Sequence, residues 1–265
     1  MEKSKINSFL KRLATTLVLV PVVVGCIING YPSIYLLALF GAALLSWEWA
    51  SMIPNNRPAV YAVIYLFVAA VVILIESLAA DAVVMTLALI LAFYKSKGEK
   101  NRRLLLLGIP YISIGIGSII AIYGAYGPQV VLWFMFLVWG VDVGGYVFGC
   151  SIKGPKLAPK ISPNKTWAGL FGGMILAVAV SYGICWYFAV AEWDILKKYL
   201  IMAALLAVIA QIGDLIESAI KRRLGLKDSS NLIPGHGGIF DRIDGLIFAA
   251  PFAYMMLQNM SIFTD

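Results

Sequence analysis

With 265 residues, 61% of them hydrophobic and 13% charged, the chain is too apolar for one soluble core and long enough for several bilayer spans. The net charge of +7 would suit a nucleic-acid binder. The bases are instead spread over short connections between apolar runs, where headgroup attraction and topology account for them, so membrane lipid is the expected partner and no nucleic acid is.

A bilayer core of about 30 Å takes about 20 apolar residues as helix. In chain order such runs fall near residues 13–29, 32–53, 59–78, 80–94, 104–123, 129–150, 167–191, 199–220 and 243–262. They predict an all-α polytopic membrane protein with about nine transmembrane helices, its polar active site in the C-terminal half facing the cytoplasm. The fourth run is short and fits a buried half-helix or an interfacial segment as well; without it the C-terminus changes sides. Of the 21 basic residues, all but Lys197 and Lys198 fall in alternate connections, which predicts the N-terminus inside and the C-terminus outside. The first run follows a basic N-terminus but ends in no small-residue cleavage site, and reads as a span. Cys26, Cys150 and Cys185 are scattered and odd in number, unlike a disulfide framework or a zinc pattern.

The chain reads as a single transmembrane domain, residues 1–265, with a helical scaffold in 1–127 and catalytic helices and loops in 128–265. In the scaffold the one unexpected acid is Glu48, between Trp47 and Trp49 inside the second run. It needs an ion pair, a hydrogen bond or a proton there, or belongs to the active site. Gly115-Ile-Gly117 lacks the preceding strand and the length of a dinucleotide fingerprint and suits close helix packing.

After residue 128 three polar clusters follow. Asp142-Val-Gly-Gly-Tyr146 lies late in a run, its glycines allowing another backbone or a ligand to approach. The loop from Lys153 to Thr166 combines prolines, lysines and hydroxyls. It is not a Walker loop, but Lys165-Thr166 before a helix offers a cation, a hydroxyl and free amides together, as a phosphate clamp or as a basic loop on headgroups. In the third cluster Asp214, Glu217, Ser218 and Lys221 follow i, i+3, i+4, i+7 spacing and share one helix face, as Asp241 and Asp244 do one turn apart. Pro234-Gly-His-Gly-Gly238 between them breaks any helix, and His236, the only histidine, is a turn residue or a catalytic one. Carboxylates among bases, with no cysteine or histidine cluster competing, suit hard cations bound through oxygen, above all Mg²⁺; structural salt bridges with Lys221, Arg222 and Arg242 are the alternative.

Ser218, Ile220, Lys221, Arg222, Lys227, Asp228, His236, Gly237, Gly238, Ile239, Asp241, Arg242, Ile243 and Asp244 together make a long pattern. It resembles that of the phosphatidate cytidylyltransferases, the CDP-diacylglycerol synthases. The resemblance continues upstream through Trp139, Asp142 and Tyr146, Lys156-Leu-Ala-Pro159 and Ser162-Pro-Asn-Lys-Thr-Trp167. Ala168 and Cys150 depart from it, standing where an acid or amide and a base are usual. The resemblance implies transfer of CMP from CTP to phosphatidate with Mg²⁺, giving CDP-diacylglycerol and pyrophosphate in phospholipid synthesis, in a membrane. It implies Asp214, Asp241 and Asp244 as Mg²⁺ ligands and, with Lys221, Lys227 and His236, as catalytic residues. Asp142, Ser162, Lys165, Thr166, Ser218, Arg222, Asp228 and Arg242 would meet the substrates. A second cation, monovalent or divalent, fits the acid count, and a homodimer is a family expectation. Two rivals stand beside this reading: a CTP-dependent transferase for another lipid phosphate, and a cation transporter using the acids as its path. The motif of the CDP-alcohol phosphotransferases is absent, since no arginine follows Ala249.

Overall fold

The computed structural model describes residues 2–188, 192–230, 232 and 237–262, with side chains between residues 16 and 259 of these. Nine α-helices stand among the described residues: α1 (Glu2–Asn29), α2 (Ser33–Met52), α3 (Pro58–Ile75), α4 (Leu78–Lys95), α5 (Arg102–Tyr126), α6 (Pro128–Ser151), α7 (Trp167–Tyr187), α8 (Trp193–Arg223) and α9 (Phe240–Ile262). Each expected run falls on one of them. Seven, α2 to α8, are long and apolar enough to cross a membrane, the doubtful fourth run among them. In α1 the apolar stretch is the shorter Thr16–Asn29, and α9 begins with Asp241, Arg242 and Asp244 in its first turns. The chain is an all-α polytopic membrane protein. Residues such as Leu36, Phe40, Val63, Phe67 and Phe171 are more than half exposed, which suits helices that satisfy their own backbone and turn apolar flanks to lipid.

The one sheet among the described residues lies in the loop before α7. Strand β1 (Lys156–Ala158) pairs antiparallel with β2 (Ser162–Thr166), Ala158 opposite Ser162 and Lys156 opposite Thr166. So short a hairpin leaves no readable period among its residues. Lys153 and Gly154, both at positive φ, turn the chain out of α6 toward β1. Thr166 then closes β2 and caps α7, its hydroxyl accepting from the Gly169 N–H at 3.0 Å.

The chain forms two compact units, Met1–Gly124 with Leu224–Ile243, and Ala125–Arg223 with Asp244–Asp265. In the first, α2 packs on α3 and α3 on α4. Pro110 inside α5 cannot donate to the preceding turn. In the turns just before it, Trp49 Nε1 donates to the Leu104 carbonyl at 3.0 Å and the Tyr65 hydroxyl to that of Leu105 at 2.6 Å. Gly117 is packed against Val72, so this glycine of the Gly115–Gly117 stretch serves helix contact.

In the second unit α6 lies along α7, and α7 against α8. A Cβ at Gly144 would stand 2.5 Å from the Gly172 carbonyl oxygen, and one at Gly169 2.8 Å from that of Gly145. Glycines on both helices thus bring the backbones together where aqueous hydrophobic drive is absent and packing must hold them. Across the unit's other end Trp133 Nε1 donates to Ser181 Oγ at 2.7 Å in the buried interior.

Candidate active site

Asp214 and Glu217 share a face of α8 because they are three residues apart. Asp244 comes from α9, and two glycines permit the crossing. A Cβ on Gly213 would lie 2.6 Å from the Phe248 Cβ and 3.2 Å from the Asp244 carbonyl; one on Gly245 would lie 3.1 Å from the Ala210 carbonyl. With the helices this close, Asp214, Glu217 and Asp244 each present a carboxylate oxygen within 4.8 Å of the others. Glu217 is 1% exposed. Three carboxylates so placed repel one another strongly, and positive charge must accompany them.

Two lysines meet that need. Lys165, in β2, forms an ion pair with Asp214, and Lys221 Nζ lies 2.7 Å from Glu217 one helical turn on. The Ser218 hydroxyl donates to Asp214 at 3.4 Å, and the Gly245 N–H to Asp244 at 2.8 Å. The charges of Asp214 and Asp142 bear on Asp244 against that of Lys165, so Asp142 is an additional acid of the same neighbourhood. Arg222 Nε donates to the Ile161 carbonyl at 3.3 Å, tying the end of α8 to the hairpin that carries Lys165. Every donor atom of the trio is a carboxylate oxygen, which fits Mg²⁺ and other hard divalent cations.

The second unit therefore brings together Asp142, Lys165, Asp214, Ser218, Lys221 and Asp244 of the expected residues. Ser162 sits in the hairpin ladder opposite Ala158, and the buried Thr166 uses its hydroxyl as a helix cap. Glu217 completes the trio. Its place on the face of Asp214 was legible, but its convergence with Asp244 was not, because spacing alone does not say which acids of a cluster meet.

Lys227, Asp228, Asp241 and Arg242 lie in the first unit. Asp241, read as a third Mg²⁺ ligand, accepts from the Ser229 N–H at 3.0 Å and the Gly238 N–H at 2.9 Å and so closes the loop before α9. Lys227, Asp228 and Arg242 are exposed, and the Arg242 N–H donates to the Ile239 carbonyl at 3.0 Å. His236 lies outside the described residues. Glu48, the unexpected acid of α2, is buried and bonded to this same loop through the Ile239 and Phe240 amides.

The model of the cytidylyltransferase family matches residues 10–260. A phosphatidate cytidylyltransferase of Brucella suis is 43% identical over 131 residues, which cover 49% of this chain and 47% of that protein, so the chain spans about half the length of this relative. Phosphatidate cytidylyltransferases of Haemophilus influenzae and Pseudomonas aeruginosa match at greater length. The first is 31% identical over 279 residues, 91% of this chain and 96% of its own; the second is 32% identical over 257 residues, 91% and 94%. With a match running through all nine helices and through both halves of the motif, the chain belongs to the cytidylyltransferase family.

Proposed function

We propose that this integral membrane protein transfers CMP from CTP to phosphatidate, giving CDP-diacylglycerol and pyrophosphate. The observation that carries the reading is the trio Asp214, Glu217 and Asp244 with Lys165 and Lys221 paired to it, inside a chain of this family. A phosphate oxygen of phosphatidate forms the new bond to the α-phosphorus of CTP, and the bond from that phosphorus to the bridging oxygen breaks, its electrons leaving with pyrophosphate. The attacking oxygen is already anionic at neutral pH, so no strong general base is required; the obstacle is bringing two polyanions together.

The chain's residues address that obstacle. Asp214, Glu217 and Asp244 would hold Mg²⁺, which supplies Lewis-acid polarisation of the α-phosphate and charge stabilisation of the leaving group. Lys165 and Lys221 would neutralise triphosphate charge from the same neighbourhood, and Arg222, held at the hairpin, adds a third cation. Lys227, Asp228 and Arg242 are further substrate contacts on the strength of the motif. The acyl chains would stay in lipid while the headgroup meets the nucleotide at the cytoplasmic face, the side on which the basic connections lie.

Competition tests the substrate pair. Purified protein in mixed micelles is given CTP and phosphatidate, and product formation is challenged with other nucleoside triphosphates and other lipid phosphates, with and without Mg²⁺. The reading expects Mg²⁺-dependent product from CTP and phosphatidate. Product formed preferentially from a different lipid phosphate would replace phosphatidate as the acceptor, and none from any pair would overturn the reaction.

A further inference from the structure

Glu48 stands in α2, 181 residues before Ser229 of the loop it touches, and is 1% exposed. A carboxylate so buried needs several hydrogen-bond donors. One short segment provides four. The Ile239 N–H donates to Oε1 at 2.9 Å, the Phe240 N–H to Oε2 at 2.7 Å, the Ser230 hydroxyl to Oε1, and the Ser229 hydroxyl to Oε2 at 3.5 Å. Phe240 opens α9, so these amides belong to the group that a helix start leaves without internal partners. A negative charge there also meets the positive end of the helix dipole.

Neighbouring contacts are shaped to the same purpose. A side chain at Gly238 would run into both Glu48 oxygens, at 2.8 and 3.0 Å, and into Ser229. Trp49, the next residue of α2, packs edge-on to Phe240 with ring centres 5.2 Å apart. Ser229 is shared: its hydroxyl donates to Glu48 while its N–H donates to Asp241. Ser229, Ser230 and the stretch from Gly238 to Phe240 are thus held by one carboxylate from α2 and one from the first turn of α9. Among the described residues the partners of Glu48 are neutral donors, which is the pattern of an acid that fixes backbone.

We propose that Glu48 is a positioning residue of the transfer reaction, which rests on the function proposed above. From α2 it sets the start of α9, and with it the placement of Asp228, Asp241 and Arg242, without itself touching substrate. Small misplacements of reacting or binding groups are costly to turnover. Glu48→Gln keeps the shape and one acceptor oxygen, but its NH₂ meets the donors on the other side.

The test combines amide hydrogen exchange with steady-state kinetics on the full-length protein in detergent. In Glu48→Gln the amides of Ile239 and Phe240 should exchange at least about tenfold faster and kcat should fall at least about tenfold, with the exchange of α6 and α7 unchanged. Ser229→Ala with Ser230→Ala should lower kcat about threefold alone and less than about twofold further in the Glu48→Gln background, because both act through one contact. If Glu48→Gln does not fold, the serine pair carries the same exchange and kcat test with Glu48 intact. Unchanged exchange at Ile239 and Phe240, a kcat within about twofold of wild type, or fully additive losses would overturn the positioning role. A wild-type protein that transfers no CMP would overturn the reaction, and the exchange measurement separates that failure from a failure of the Glu48 contact.

Discussion

At the residue scale the site is a balance of charges that single substitutions upset in distinguishable ways. Asp244→Asn removes one negative charge and one hard donor from the trio while keeping side-chain shape. Metal-assisted stabilisation of developing charge is worth several kcal/mol, so turnover should fall by about a hundredfold or more. The protein should stay folded and membrane-inserted; near-normal activity would remove Asp244 from the cation site. Glu217 and Lys221 form a buried pair, and breaking one partner of such a pair costs about 3–5 kcal/mol, whereas replacing both costs far less. Thermal unfolding in detergent should therefore show Glu217→Gln markedly destabilised and Glu217→Gln with Lys221→Met partly restored. Equal destabilisation in the single and double variants would mean that the two do not act as a pair. The sequence made Asp214, Asp244 and the lysines legible because ionisable groups among apolar spans are conspicuous. It did not show that Glu217 joins them. Spacing puts Glu217 on the face of Asp214, and its convergence with Asp244 arises when Gly213 and Gly245 let α8 and α9 cross.

At the element scale, close helix approach is what brings Asp244 of α9 to the acids that Asp214 and Glu217 present on α8. A methyl group at Gly213 would need Phe248 Cβ to move from 2.6 Å. Overpacking of this kind costs about 1–3 kcal/mol, and the strain would be relieved by separating the helices that carry Asp214 and Asp244. Gly213→Ala should thus lower both the thermal midpoint and kcat. A fully active Gly213→Ala protein would show that the crossing has slack. All nine apolar runs were legible as helices, since a membrane leaves the backbone few other solutions. The start of α8 at Trp193, ahead of the apolar run at 199, follows from Lys197 and Lys198 extending the helix as its polar end. The β1–β2 hairpin was not legible: three prolines and scattered lysines hide any alternation, and its place is fixed by contacts to α6, α7 and α8. Thr166 illustrates the same limit. Its position before a helix was legible, but that its hydroxyl would cap the helix was not.

At the scale of the whole molecule, the one-sided basic connections between the apolar runs predict one orientation. With the N-terminus inside, a cysteine introduced at position 263 should be labelled by an impermeant reagent on intact cells, and one at Lys160 only after permeabilisation. Labelling at 263 only after permeabilisation would mean that one of the nine helices does not cross. Seven helices meet the length and apolarity of a span outright, so α1 and α9 are where the count is most exposed to that result. In the proposed reaction this orientation would draw the nucleotide from the cytoplasmic side, where it would meet the lipid substrate. The most direct measurement of the central claim uses CTP labelled separately at the α- and γ-phosphorus, with purified protein, phosphatidate and Mg²⁺. The account predicts that α-label enters the chloroform-soluble product while γ-label leaves as pyrophosphate in equal amount, and that Asp244→Asn does neither. α-Label remaining in the aqueous phase with folded wild-type protein, or γ-label entering the lipid, would contradict it.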